Sequence, residues 1–141
     1  MTDADKLSEI IADHAPVQAS LLPILHDVQA ALGCVDGGAE AAIAAALNLS
    51  RAEVHGVVSF YHDFTPVADA RPCIELCEAE ACQARGSEAT SAAARGAAGA
   101  RISIKTVYCL GLCSVGPAAR VGGTLHARLD PASMAHLVQS L

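Results

Sequence analysis

Tryptophan is absent from this chain of 141 residues, and only two tyrosines and two phenylalanines are present. The core must therefore be built from Ala, Val, Leu and Ile, and its alanine content favours helices over a broad β-sandwich. Such a core is thin, which points to stability drawn partly from a cofactor or a partner subunit. Positive charge is also scarce: nine Lys and Arg stand against fifteen Asp and Glu, for a formal net charge of −6. That excludes the basic stripe that nucleic-acid binding requires. No run is long and apolar enough to span a bilayer. The opening Met1-Thr2-Asp3-Ala4-Asp5-Lys6 is acidic and polar, and no basic stretch leads into an apolar one, so no signal peptide is visible. The expected location is cytoplasmic, without membrane or nucleic-acid partners. No G-x-G-x-x-G follows a strand, which leaves no nucleotide site in the chain, and no Ser/His/Asp grouping can be assembled.

What is present is a globular composition, 52% hydrophobic and 17% charged. The length suffices for one ordinary domain or two very small ones. Residues 1–68 read as a helical N-terminal domain. Thr2, three residues before Asp5, caps a first helix to about His14, which Pro16 ends. Ser20 caps a second, with Pro23 in its first turn, Leu21, Leu25, Val28 and Leu32 on one face, and Gly33 as the stop. Gly37-Gly38 separates it from a third run, Ala39 to Leu49. Ser50-Arg51-Ala52-Glu53 is a capping box that opens a fourth, through Val54, Val57, Val58 and Tyr61.

Residues 69–141 change character. Cys73 to Leu76 is a short strand, Gln83 to about Ala98 an Ala-rich helix, and Ile102 to Val107 a period-two strand. Gly122-Gly123 is a hairpin turn between Ala118–Val121 and Thr124–Ala127. Asp130-Pro131 starts a last helix with Met134, Leu137, Val138 and Leu141 on its apolar side. The order β, α, β, β, α suits a small sheet covered by helices. The fold class expected is α+β: an N-terminal helical bundle followed by a thioredoxin-like domain.

Six cysteines in a chain expected in a reducing compartment call for metal or redox chemistry rather than structural disulfides. Four of them form two short pairs, each directly after a strand: Cys77-x4-Cys82 and Cys109-x3-Cys113. Neither pair can present both sulfurs to one metal from an extended strand, so each belongs on a loop, and loops at neighbouring strand ends can converge. Four thiolates from two loops suit a [2Fe–2S] cluster, one pair per iron. Such a site carries about −2 when oxidised and about −3 when reduced. Gly86, Gly111 and Gly116 would let backbone N–H groups approach the sulfurs, and Arg85 is a candidate counter-charge.

Other chemistries share parts of this pattern. Two short Cys pairs also describe a structural four-cysteine zinc site in an interaction module. A disulfide oxidoreductase fits less well, since neither pair is C-x-x-C and one pair would have no task. A Rieske centre would need a histidine in a loop, and neither loop has one. Cys34, after a helix stop, and Cys73, at the start of a strand, read as small buried hydrophobes. Pairing Cys73 with Cys77 would put both on the strand and orphan Cys82. The histidines (His14, His26, His55, His62, His126 and His136) are scattered without metal-ligand spacing, which leaves them surface or capping roles. His55 and His62 stand on the fourth helix, where a partner could meet them.

With its preceding helices, this cysteine pattern resembles the thioredoxin-like [2Fe–2S] subunit of NADH dehydrogenases, the 24-kDa type of respiratory complex I. That family includes the matching subunit of NAD-reducing hydrogenases and the gamma subunit of NAD-dependent formate dehydrogenase. Leu21 to His26 and Leu49 to Tyr61 are similar to the family's helical region. Ala79-Glu80-Ala81-Cys82-Gln83 and Tyr108 to Cys113, continuing to Gly116-Pro117-Ala118, most resemble the formate dehydrogenase gamma subunit. The resemblance implies a [2Fe–2S] cluster on Cys77, Cys82, Cys109 and Cys113. It implies a beta-type partner that carries FMN and binds NAD, and a larger molybdenum-containing subunit that oxidises formate. The chain would be a non-catalytic electron-transfer subunit of an oxidoreductase, with no substrate site of its own. Its one departure is the segment 83–108 between the cysteine pairs, which is shorter than in the family and lacks its Thr-Thr-x-Asp-Gly.

Overall fold

A computed structural model describes all residues, 1–141, as seven α-helices and four strands in two compact units, Met1–Ala70 and Arg71–Leu141. The first unit holds α1 (Asp3–Ala12), α2 (Leu21–Leu32), α3 (Gly37–Leu47) and α4 (Arg51–Phe60). Local chemistry fixes most of their ends. Thr2 with Asp5, and Ser50 with Glu53, form reciprocal capping boxes. Gly33 ends α2 at φ 76° and Asn48 ends α3 at φ 54°.

Two expectations need correction here. Ser20 makes no side-chain cap: residues Gln18–Ser20 already form a 3-10 turn, and Ser20 itself sits in the helical region, where its hydroxyl is not aimed at the orphan amides. Gly37 and Gly38 are not a separator but the first turn of α3. Asp36 accepts from the Ala39 amide at 2.8 Å, and that cap together with burial of Ala39, Ile43 and Leu47 outweighs the poor helix propensity of glycine.

Leu21, Ile24, Leu25 and Val28 of α2 meet Ile43 and Leu47 of α3, Val54 and Val58 of α4, and Phe64 in one core. Each large aliphatic side chain so buried contributes about 1.5–3 kcal/mol. The segment after α4 is tied back to α2. Gln29 Nε2 donates to the Gly33 carbonyl at 2.7 Å, Gln29 Oε1 accepts from the Thr65 amide at 2.9 Å, and the Val35 amide donates to the Thr65 carbonyl. Glu40, almost wholly buried, meets His55 Nδ1 at 3.0 Å across α3 and α4, and His14 Nε2 lies 2.7 Å from Asp27. His55 therefore joins α4 to α3, and His14 ties the segment after α1 to α2.

The second unit holds β1 (Cys73–Cys77), α5 (Glu80–Ala84), α6 (Ser87–Ala98), β2 (Ser103–Val107), β3 (Ala119–Val121), β4 (Thr124–His126) and α7 (Pro131–Gln139). It has one helix and one strand more than the expected order. The single helix foreseen from Gln83 is broken at Gly86, whose φ of 91° no helix can continue, and both arms of the Gly122-Gly123 hairpin are strands. Gly122 and Gly123 both have positive φ, as a type I′ turn requires. The sheet order is β2-β1-β3-β4, with β1 and β2 parallel and the rest antiparallel. The parallel pair needs a long crossover, which α5 and α6 supply. Ile74 and Leu76 point into a core with Ala94, Ala98, Ile102, Ala119, Leu129, Met134 and Val138. Asp130 and Ser133 form the capping box of α7, with Pro131 at its first position.

On the opposite face of β1, Glu75 stands directly across from Arg120 of β3, and the guanidinium binds the carboxylate through both Nε and Nη2. This hydrogen bonding to Arg120 holds the Glu75 carboxyl below the ordinary glutamate value of 4.5. A depressed folded-state value means that the pair stabilises the fold above about pH 4.5 and is lost as pH falls through the lower folded value. Glu75→Gln is expected to cost about 0–1 kcal/mol at neutral pH, since Arg120 is partly in solvent. It should also reduce the acid-induced loss of melting temperature between pH 5 and pH 3, as followed by circular dichroism. An acid limb identical to wild type would show that the pair carries no stability.

Candidate metal centre at the ends of β1 and β2

The parallel pairing of β1 and β2 puts Cys77 opposite Val107, so the chain leaves both strands at the same edge of the sheet. Cys77 is the last residue of β1, and Cys109 follows β2 by two residues. Cys82 lies on α5 rather than on an open loop, because the chain turns helical directly after Ala79. Cys113 opens a short 3-10 turn, Cys113–Val115. Cys77, Cys82 and Ala118 form a small buried cluster of their own, flanked by Ala79, Val107, Leu110 and Leu112. Cys109 and Cys113 are exposed. One side of the site is thus dry and the other faces solvent.

The sulfurs lie as two pairs. Cys109 Sγ and Cys113 Sγ are 3.5 Å apart, and the Cys82 thiol lies beside Cys77. No three donors surround a single point. The pairs are near enough to act on one another: negative charge on Cys77 pushes up the thiols of both Cys82 and Cys113. For Cys82 the larger cause is burial, and for Cys113 it is the neighbouring Cys109. Cys77 goes the other way. Burial raises its thiol, but the amides of Ala79, Cys109 and Leu110 face the sulfur and, with the Cys82 thiol, bring it below the ordinary range. Two of those amides come from the second cysteine segment. Cys109 has φ 84°, a conformation costly for a residue with a side chain and characteristic of functional sites.

The glycines divide. The Gly111 amide donates to Cys109 Sγ at 3.4 Å. Gly116 is buried against Cys82, where an added Cβ would stand 2.8 Å from Sγ. Gly86 breaks the helix instead. Arg85 is exposed, with its stem near Gly116, which leaves its head toward water. Cys73 begins β1, about 13 Å of extended strand from Cys77, and Cys34 belongs to the helical unit. Four soft thiols, split into two contacting pairs with amide donors at the Cys77 and Cys109 sulfurs, match what a two-iron cluster needs from its protein.

Known proteins resemble this chain over most of its length. The sequence is 27% identical over 149 residues to a subunit of NADH-quinone oxidoreductase from Rhizobium meliloti (strain 1021), covering 99% of this chain and 89% of that protein. It is 28% identical over 123 residues to the NADP-reducing hydrogenase subunit HndA of Solidesulfovibrio fructosivorans, covering 81% and 72%. The crystal structure of an NAD+-reducing [NiFe]-hydrogenase in the air-oxidized state superposes with a TM-score of 0.70 at 27% identity, over 86% of this chain. The match spans 22% of that hydrogenase chain. No helix here is long and apolar enough to cross a membrane. The model of the thioredoxin-like [2Fe-2S] ferredoxin family matches residues 7–141, nearly the whole sequence, and the chain belongs to that family.

Proposed function

We propose that this chain is an electron-transfer subunit that holds one [2Fe–2S] cluster on Cys77, Cys82, Cys109 and Cys113, working beside a partner subunit that carries FMN and binds NAD. The observation that carries the reading is the meeting of two thiol pairs, from segments 26 residues apart, at one edge of a four-stranded sheet. When bound, such a cluster carries one electron at a time. The chain's own residues hold, orient and shield. Cys77 and Cys82 anchor the dry side, Cys109 and Cys113 present the open side, and the amides of Ala79, Cys109, Leu110 and Gly111 offset negative charge on the sulfurs.

Anaerobically prepared protein is expected to contain about two irons and two acid-labile sulfides per chain, absorb in the visible, and give a paramagnetic signal on reduction. Zinc without sulfide would overturn the assignment in favour of an interaction module, and a reversible disulfide in metal-free, substrate-reducing protein would favour a thiol enzyme.

The further placement we propose is the gamma position of an NAD-dependent formate dehydrogenase, on the flanks Ala79–Gln83 and Tyr108–Ala118. The relatives are NADH-quinone oxidoreductase and hydrogenase subunits, so those are the competing assemblies. The complex isolated through a tag on this chain is expected to contain molybdenum and to reduce NAD with formate. Reduction with hydrogen, or a quinone-linked activity in its place, would reassign the partner.

A further inference from the structure

Arg95 stands on α6, outside both cysteine segments, yet it bonds to residues that adjoin them. Its Nη2 lies 3.1 Å from Glu78 Oε1 and 3.3 Å from Thr106 Oγ1 of β2. Glu78 is the residue after Cys77, and it is held at every polar group. Its amide donates to the Val107 carbonyl at 2.9 Å, two residues before Cys109, and its carbonyl accepts from Gln83 Nε2 at 2.7 Å, one residue after Cys82. One residue therefore ties the exits of β1 and β2 to α5, and Arg95 fixes its side chain. The Glu78 side chain is 27% exposed and that of Arg95 51%. A half-exposed ion pair adds little to stability by itself, so its consequence lies in what it places and in the charge it balances.

We propose that Arg95 is a positioning residue for the cluster site: it holds Glu78, and through it the Cys77 and Cys109 segments, and cancels the Glu78 charge beside Cys77. The inference rests on the cluster assignment above. Without Arg95, an uncompensated carboxylate stands on the residue next to Cys77, beside a site that gains a negative charge on reduction, so reduction becomes harder. Without the carboxylate, it becomes easier. Without both, the balance returns.

The test is a redox titration of the cluster-loaded protein followed by its paramagnetic signal. Arg95→Met is expected to shift the reduction equilibrium about tenfold toward the oxidised form, a midpoint lowered by about 59 mV for one electron. Glu78→Gln should raise the midpoint, the double variant should return close to wild type, and Arg95→Lys should stay near it because the charge remains. Raising ionic strength should shrink the single-variant shifts. Unchanged midpoints in R95M and E78Q, or a double variant as low as R95M, would overturn the role of Arg95. Should R95M fail to load, the direction of the E78Q shift still decides the sign. A wild-type chain that binds no iron and sulfide overturns the cluster assignment itself, and the inference with it.

Discussion

Cys82→Ser is expected to abolish normal cluster assembly and to leave the Arg71–Leu141 unit much less stable. The residue it replaces is 2% exposed and sits in the small cluster with Cys77 and Ala118. Two separate losses follow. In metal-free protein, serine buries a hydroxyl among apolar neighbours at a cost of about 1–3 kcal/mol. In loaded protein, a hard oxygen replaces a soft thiolate on one iron, and the affinity lost should exceed the roughly 10–100-fold that outer-shell partners cost. Since binding free energy is also folding free energy, the loaded wild type gains stability that the variant cannot. The check is the difference between loaded and metal-free melting temperatures, large for wild type and near zero for C82S, alongside iron and sulfide content. Cys34→Ser is the control and should retain both. Bleaching by Cys34→Ser, or a fully loaded Cys82→Ser, would mean that the ligand set is misassigned.

What could be read in advance was local. A cap needs only residues close in sequence, so the starts of α1 and α4 were legible at Thr2 with Asp5 and Ser50 with Glu53, and that of α7 at Asp130-Pro131. The hairpin turn at Gly122-Gly123 was legible because two adjacent residues decide it. The two cysteine pairs were legible as pairs because their spacing stands in the chain itself. What escaped depends on contacts between distant residues. Glycine reads as a breaker in isolation, yet Gly37 and Gly38 are helical because Asp36 caps them and Ile43 must reach the core. Gly86 does break a helix, and only its position between Cys82 and the buried face of α6 distinguishes the two cases. The left-handed backbone of Cys109 has no sequence signal, since cysteine does not favour it. Nor does the Arg95–Glu78 contact, which depends on how a helix is set against the end of a strand.

Gly116 offers the sharpest separation of these effects. Its φ of −65° and ψ of 170° are open to any residue, so alanine there carries no conformational penalty and would by itself stabilise by about 0.4–1 kcal/mol through the unfolded chain. The added Cβ, however, would lie 2.8 Å from Cys82 Sγ and 3.6 Å from Cys82 Cα. A sulfur one bond from Cβ cannot bend away as the end of a long side chain can. It must rotate off its position or push the Gly116 backbone, and either movement takes it from the place where Cys77 meets it. Overpacking of this kind costs about 1–3 kcal/mol, which reverses the sign expected from backbone entropy alone. Gly116→Ala is thus expected to destabilise the metal-free protein modestly and to lose most of its iron and sulfide. Gly96→Ala, on the exposed side of α6 with nothing near its added Cβ, should stabilise by about 0.5–1 kcal/mol and load normally. Iron and sulfide analysis with melting curves on both variants checks the pair. A Gly116→Ala protein as well loaded as Gly96→Ala would show that Cys82 is free to move, and so that the site does not depend on where this sulfur is held.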